Sequence, residues 1–344
     1  MIRGYVGTYT NGESQGIYTF ELDPSAGQIT HVKVAAVLDN PTYLNMTKDH
    51  RFLYSVIKDD KNGGVAAFSM DQHSGRLERI NVEEEAGAPP CHVSLDDDRH
   101  LVFSTNYHKG TVASYRVNQE TGGISAPVSV MMHEGSGPDP RQEKAHTHFA
   151  GLTPDGDYLA VCELGCDWLL TYTVKDSGEL EEAHRLSVRP GSGPRHLVFH
   201  PKDPSLAYLI TEFSSEVIVL SYEDGKFTEV QYISAVPADF EENNQASAIH
   251  ISSDGRFVYA GNRGHNSIAI FSVEEKTGRL QLVERVSTEG EWPRDFVLDP
   301  TEKFLVASNQ NSSNLVLFAR DGDTGKLTLM QKDVHVPNPV CVKF

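Results

Sequence analysis

A polar turn followed by a short apolar run recurs along this chain at a nearly fixed interval. The turn reads Lys48-Asp49-His50, Asp97-Asp98-Arg99, Pro154-Asp155-Gly156, Pro201-Lys202-Asp203, Ser253-Asp254-Gly255 and Pro300-Thr301-Glu302, at separations of about 47 to 57 residues. The runs, such as Phe52-Leu53-Tyr54-Ser55-Val56, Tyr158-Leu159-Ala160-Val161 and Phe257-Val258-Tyr259-Ala260, are too short for helices and rich in β-formers. A second turn ends in glycine in most repeats: Gly27, Gly75, Gly122, Gly278 and Gly325. Glycine there supplies the positive φ of a tight hairpin. A repeat of about 50 residues with several strands and two turns is one blade of a radial array. The repeats predict an all-β fold, a single seven-bladed β-propeller spanning residues 1–344.

Six units are complete within the chain, and its two ends supply the seventh. Tyr5–Thr8, Gly16–Phe20 and Ile29–Val32 give three strands, and Pro339–Phe344 gives the innermost fourth, so the terminal strands are expected to pair and close the array. Two stacked β-sandwiches are the competing arrangement, against which the regular repeat speaks.

In a blade, the residue before strand one and the residue after strand two share an end. Counting six residues back from each turn gives Thr42, Cys91, His148, Arg195, Ser247 and Arg294. Counting nine forward gives Ile57, Asn106, Glu163, Asn262 and Asn309, with Glu212 set in the same column after a two-residue insertion. Arginines, a histidine and glutamates in equivalent positions, flanked by His146, His196, Arg263, His265, Asp295 and Gln310, form the candidate site. Arginine grips carboxylate or phosphate with two prongs, and His or Glu accepts a proton from water. The recurring asparagines read as turn caps. Glu163 is divided evenly between cap and site, and His133 is read as a solvated outer-strand residue.

The remaining composition narrows the function. A net charge of −18 opposes extended contact with nucleic acid or an acidic membrane. No run of 18 apolar residues and no secretory leader pattern is visible, so a cytoplasmic protein is expected, monomeric or weakly self-associating. Cys91, Cys162, Cys166 and Cys341 fit neither a disulfide framework nor a zinc spacing, and no cofactor or metal is expected. His-Glu-x-x-His and phosphate-loop motifs are missing.

The segments Gln142–His148, Gly191-Ser192-Gly193-Pro194-Arg195-His196, Thr211-Glu212, Asn262-Arg263-Gly264-His265, Trp292–Phe296 and Asn309-Gln310-Asn311 resemble those of the bacterial seven-bladed propeller lactonases. That family contains one type of 6-phosphogluconolactonase and, more distantly, the fungal carboxymuconate cycloisomerases, and the likeness runs the length of the chain. It implies that His148, Glu212, Arg195 and Arg263 are catalytic. Thr147 departs from the proline that relatives often carry between the two histidines. The expected reaction is hydrolysis of an anionic sugar lactone, most simply 6-phosphogluconolactone. Glu212 or His148 would activate water, Arg195 and Arg263 would stabilise the oxyanion, and Arg294 with His196 or His265 would hold the phosphate. His146, Asp295, Gln310 and Glu163 are expected to line the substrate. Cycloisomerisation of a dicarboxylate and a non-catalytic interaction platform are the alternatives.

Overall fold

The computed structural model describes residues 1–344, which form 28 strands and no helix. The strands sort into seven four-stranded antiparallel sheets, as expected of a seven-bladed β-propeller. Six sheets run in simple sequence order, and the seventh has the order Pro339–Lys343, Ile2–Thr8, Gly16–Asp23, Gln28–Val37. The chain ends therefore pair within one sheet, as the terminal patterns predict.

Contacts divide the chain into two compact units. One comprises Met1–Val6, Thr19–Lys33 and Ser192–Phe344. It contains three complete blades, residues 194–234, 245–287 and 293–335. The other comprises Gly7–Tyr18 and Val34–Gly191, with the blades 44–86, 92–132 and 147–187.

Within a blade the second strand is buried along almost its whole length, as in Phe257–Arg263 and Phe304–Asn309, whereas the outermost strand, such as Lys226–Ser234, alternates or is exposed. The cause is coverage: a middle strand has a neighbouring blade on both faces, so both sets of its side chains must be apolar. In the first unit, Tyr208, Ile210, Val217 and Val219 meet Val258, Ala260, Ala269 and Phe271 of the next blade. That blade's other face presents Tyr259, Ile268 and Ile270 to Phe296, Leu305 and Val316.

A tyrosine on the second strand ties each such pair. Tyr208 donates to the Gly278 carbonyl at 3.1 Å and Tyr259 to the Gly325 carbonyl at 2.9 Å. In the second unit Tyr54 donates to Gly122 at 2.9 Å. The acceptors are the left-handed glycines of the hairpin turns seen in the sequence, with φ of 68°, 72° and 75°. The turn that shapes one blade thus also satisfies the buried hydroxyl of its neighbour.

Candidate active site

The candidate residues owe their positions to a repeated irregularity. In the blade 194–234, Pro194 lies opposite Thr211 and His196 opposite Ile210, so Arg195 has no ladder partner. In the blade 293–335, Pro293 faces Asn309 and Asp295 faces Ser308, leaving Arg294 out. His148 is skipped in the same way between Thr147 opposite Glu163 and Phe149 opposite Cys162. Each is the extra residue of a β-bulge, which re-aims its side chain without shifting the rest of the strand. Pro194 and Pro293 suit the first strand position, where a missing N–H costs little.

In the first unit the bulges and the following turns gather three guanidinium groups around one carboxylate. Glu212 Oε2 accepts from Arg195 Nε at 2.9 Å and from Arg263 Nη2 at 2.7 Å. Arg195 Nη1 also donates to the Ser247 carbonyl at 2.6 Å, and Arg263 Nε and Nη2 to the carbonyls of Gln245 and Ala246 at 3.0 and 3.1 Å. Glu212, Arg195 and Arg263 are all buried. Burial alone would raise the Glu212 carboxyl, but Arg263 and Arg195 outweigh it and hold the group below the usual carboxylate range. Burial draws Arg263 down, and Glu212 only partly offsets this. An arginine still carries its charge at neutral pH. Arg294 adds a third positive charge whose field reaches both Glu212 and Arg263, and its Nη1 donates to Gln310 Oε1 at 3.3 Å. Three cations against one anion leave the cluster electropositive inside a chain of net charge −18.

The structure corrects the register expected for Glu212. Thr211, opposite Pro194, occupies the place of Glu163, Asn262 and Asn309, so Glu212 corresponds to Arg263 and Gln310. The connection in that blade is longer by one residue, not two.

Asp295 and His265, two of the expected site residues, are held by partners of their own. Asp295 is buried and turned toward the terminal sheet: its Oδ2 accepts the Val342 N–H at 3.1 Å and lies 3.8 Å from Lys343 Nζ, while Oδ1 is 3.6 Å from His250 Nε2. It fastens the closing strand. His265 Nδ1 meets Ser267 Oγ at 2.7 Å, its ring edge packs on Phe240, and burial lowers its pKa. His196 follows the Arg195 bulge and is buried.

In the second unit, His146 stacks on Tyr107 at 4.1 Å, with Nδ1 2.8 Å from the Tyr107 carbonyl and Nε2 3.2 Å from Glu143 Oε2. His148 is buried and stands edge-on to the same tyrosine at 6.3 Å. Glu163 is a turn cap: its carboxylate accepts the backbone N–H groups of His146, Gly165 and Cys166. Asn106 caps His108 and Lys109 in the equivalent turn. Glu163 therefore does the work of a cap in this turn, and burial raises its carboxyl pKa.

His133 also differs from expectation. It is buried, with Nδ1 2.8 Å from Thr147 Oγ1 and Nε2 2.5 Å from the Tyr172 hydroxyl, and burial lowers its pKa to about 4. Thr147, the departure from the family pattern, is therefore occupied in holding the strand that carries His148. No group of three His, Cys, Asp or Glu side chains is arranged to hold a metal ion, and no helix is long and apolar enough to cross a membrane.

Comparison with known proteins now decides the lineage: residues 3–344 match the family model described as Lactonase, 7-bladed beta-propeller. The chain belongs to the seven-bladed propeller lactonases. A 6-phosphogluconolactonase of Bacillus subtilis is 54% identical over 343 residues, covering 99% of this chain and 97% of that protein. A crystal structure from Lactobacillus plantarum superposes with TM-score 0.96 at 44% identity, covering 99% and 98% of the two chains. The Pseudomonas aeruginosa periplasmic gluconolactonase PpgL superposes with TM-score 0.94 at 34% identity, again covering 99% and 98%. Lactone hydrolysis is the chemistry of this family, and this chain is a lactonase of the carboxylic ester hydrolase class.

Proposed function

We propose that this lactonase acts on 6-phosphogluconolactone, giving 6-phosphogluconate, in the cytoplasm and within the pentose phosphate pathway. The observation that carries this reading is the buried pair Arg195 and Arg263 on a single carboxylate, Glu212, with the half-buried Arg294 adding its charge. Such an excess of fixed positive charge suits an anionic substrate and a developing oxyanion. The Bacillus subtilis relative supports the phosphorylated lactone. Four free cysteines accord with a reducing compartment. The family match over residues 3–344 supports one domain for the whole chain.

In the proposed reaction a water oxygen bonds to the lactone carbonyl carbon, the ring C–O bond breaks, and the ring oxygen leaves as a hydroxyl after taking up a proton. Arg195 and Arg263 stabilise the oxyanion of the intermediate. Glu212 serves as their organiser, because a carboxylate held by two guanidiniums and below its ordinary pKa is a poor proton acceptor. One of the water's protons is the one that the ring oxygen takes up as it leaves. Arg294 with Gln310 takes the substrate's remote anion.

The test is hydrolysis of freshly generated 6-phosphogluconolactone above its spontaneous rate, with EDTA present and unphosphorylated gluconolactone in parallel. Fast, EDTA-insensitive turnover preferring the phosphorylated lactone is expected. Preference for gluconolactone would shift the substrate toward that of the Pseudomonas relative.

A further inference from the structure

Trp292 belongs to none of the roles given so far. It is half-buried and directly precedes Pro293 and the bulged Arg294. Its backbone is left-handed, with φ 67°, a conformation that crowds Cβ against the following carbonyl and that bulky residues seldom adopt. The corresponding residue of the blade 194–234 is Gly193, also left-handed with φ 69°. The two carbonyls do the same work: that of Gly193 accepts the Glu212 N–H at 2.7 Å, and that of Trp292 accepts the Gln310 N–H at 3.0 Å. In the blade 147–187 His146 does this work, its carbonyl accepting the Leu164 N–H at 2.9 Å, without a left-handed backbone; of the two blades that do adopt one here, the first carries glycine and the second the largest side chain. Strain of this kind is retained where the side chain is needed.

The indole's surroundings indicate the need. Trp292 N–H donates to Asn266 Oδ1 at 2.9 Å, so the backbone is fixed on both sides of the peptide. The Arg263 guanidinium carbon lies 5.6 Å from the indole ring centroid, within cation–π range. That guanidinium is the one bonded to Glu212. Next along the chain, Arg294 brings the third positive charge. The cluster thus has an aromatic ring at its edge, on a residue that is only half-buried.

We propose that Trp292 is a specificity-determining residue: its indole, carried to Arg263 by a left-handed backbone, is the apolar wall against which the C–H face of the ring-closed sugar lactone lies. The proposal rests on the lactonase reading above and adds the ring as a recognised feature, beside the anion that the arginines take. An arginine cluster alone selects charge and is indifferent to whether the sugar is cyclic. An aromatic face selects a flat ring with apolar hydrogens on one side.

The experiment compares Trp292→Gly, Trp292→Asn and Trp292→Phe on whichever lactone the native chain turns over. Glycine and asparagine both tolerate the left-handed backbone, so these variants fold, and Trp292→Gly melts no lower than native. Both should raise KM about tenfold, the order of one lost aromatic contact, with kcat changed less than about threefold. Trp292→Phe should restore KM to within about threefold of native because an aromatic face returns. Unchanged KM in Trp292→Gly, or equal losses in the glycine and phenylalanine variants, would overturn the proposal while leaving the lactonase reading intact. A native chain that hydrolyses no lactone above background would remove both.

Discussion

Replacing Glu212 by glutamine keeps the shape of the arginine cluster and deletes its only negative charge. The side chains concerned are 3% to 10% exposed, so solvent screens them little. Breaking a buried ion pair costs about 3 to 5 kcal/mol, because the remaining charge is stranded. Glutamine still accepts one hydrogen bond, which places the expected loss near the lower end, about 3 kcal/mol. For a chain of this size that is a fall in melting midpoint of about 5 °C. The loss must depend on pH. In the folded state Glu212 is held below its ordinary pKa, so between the two values the unfolded chain binds more protons and stability rises with pH. The native advantage is therefore complete above about pH 5, and it fades as acid reaches the depressed folded value. Thermal melts of both proteins from pH 7 down to pH 4 measure this, with 10 mM phosphate added in a second series. The variant, left with three uncompensated guanidiniums, should gain more from phosphate than the native protein. A variant that melts within about 1 °C of native at pH 7, and responds equally to phosphate, would refute the claim that these charges form one energetic unit.

Three further outcomes are expected. A Cβ at Gly165 would run into the Lys144 carbonyl oxygen and lie 2.8 Å from the His146 nitrogen. Gly165→Ala should therefore cost about 1 to 3 kcal/mol and lower lactone turnover by shifting the His146–His148 segment, whereas Gly156→Ala, with nothing within 4 Å of the new carbon, should leave turnover unchanged. His133, buried and lowered to about 4, binds fewer protons folded than unfolded between that value and its ordinary 6.5. Its contribution, up to about 3 kcal/mol, is present above pH 6.5 and disappears toward pH 4, and His133→Gln should flatten denaturant stability across that window. Asp295→Asn should loosen the closing strand, seen as faster amide exchange at Val340–Val342 and a lower melting midpoint, because the link to Lys343 and His250 loses its charge.

Much of this architecture can be read directly from the chain. The blades are legible because one turn and one apolar run recur, and a middle strand covered on both faces leaves an unmistakable continuous apolar stretch such as Phe257–Ala260. The column holding His148, Arg195 and Arg294 is legible by counting, since a fold that repeats places equal counts at equal positions. Counting fails where an insertion can sit in either of two places, which is why Glu212 is assigned one ladder position too early. It also cannot separate a carboxylate that binds substrate from one that caps a turn: Glu163 performs the work of Asn106 with a longer side chain. His133 lies on the connection after an outer strand, and only the three-dimensional packing shows that Tyr172 and Thr147 enclose it. Trp292 leaves a signal in the sequence, because Gly193-Pro194-Arg195 and Trp292-Pro293-Arg294 are aligned copies with a tryptophan in the glycine's place.

The bulge at the start of four of the innermost strands has a bearing on how such a protein can change. A ladder residue is bound by two neighbours, and exchanging it disturbs a sheet. The bulged residue belongs to no pair, so Arg195, Ser247, Arg294 and His148 occupy interchangeable sockets in one scaffold. Ser247 fills its socket with a small side chain, donating to the Pro293 carbonyl at 2.8 Å. New chemistry on this framework requires substitution at a socket and leaves the folding pattern untouched, which makes Ser247 the first position to randomise when a lactonase with a different substrate is sought.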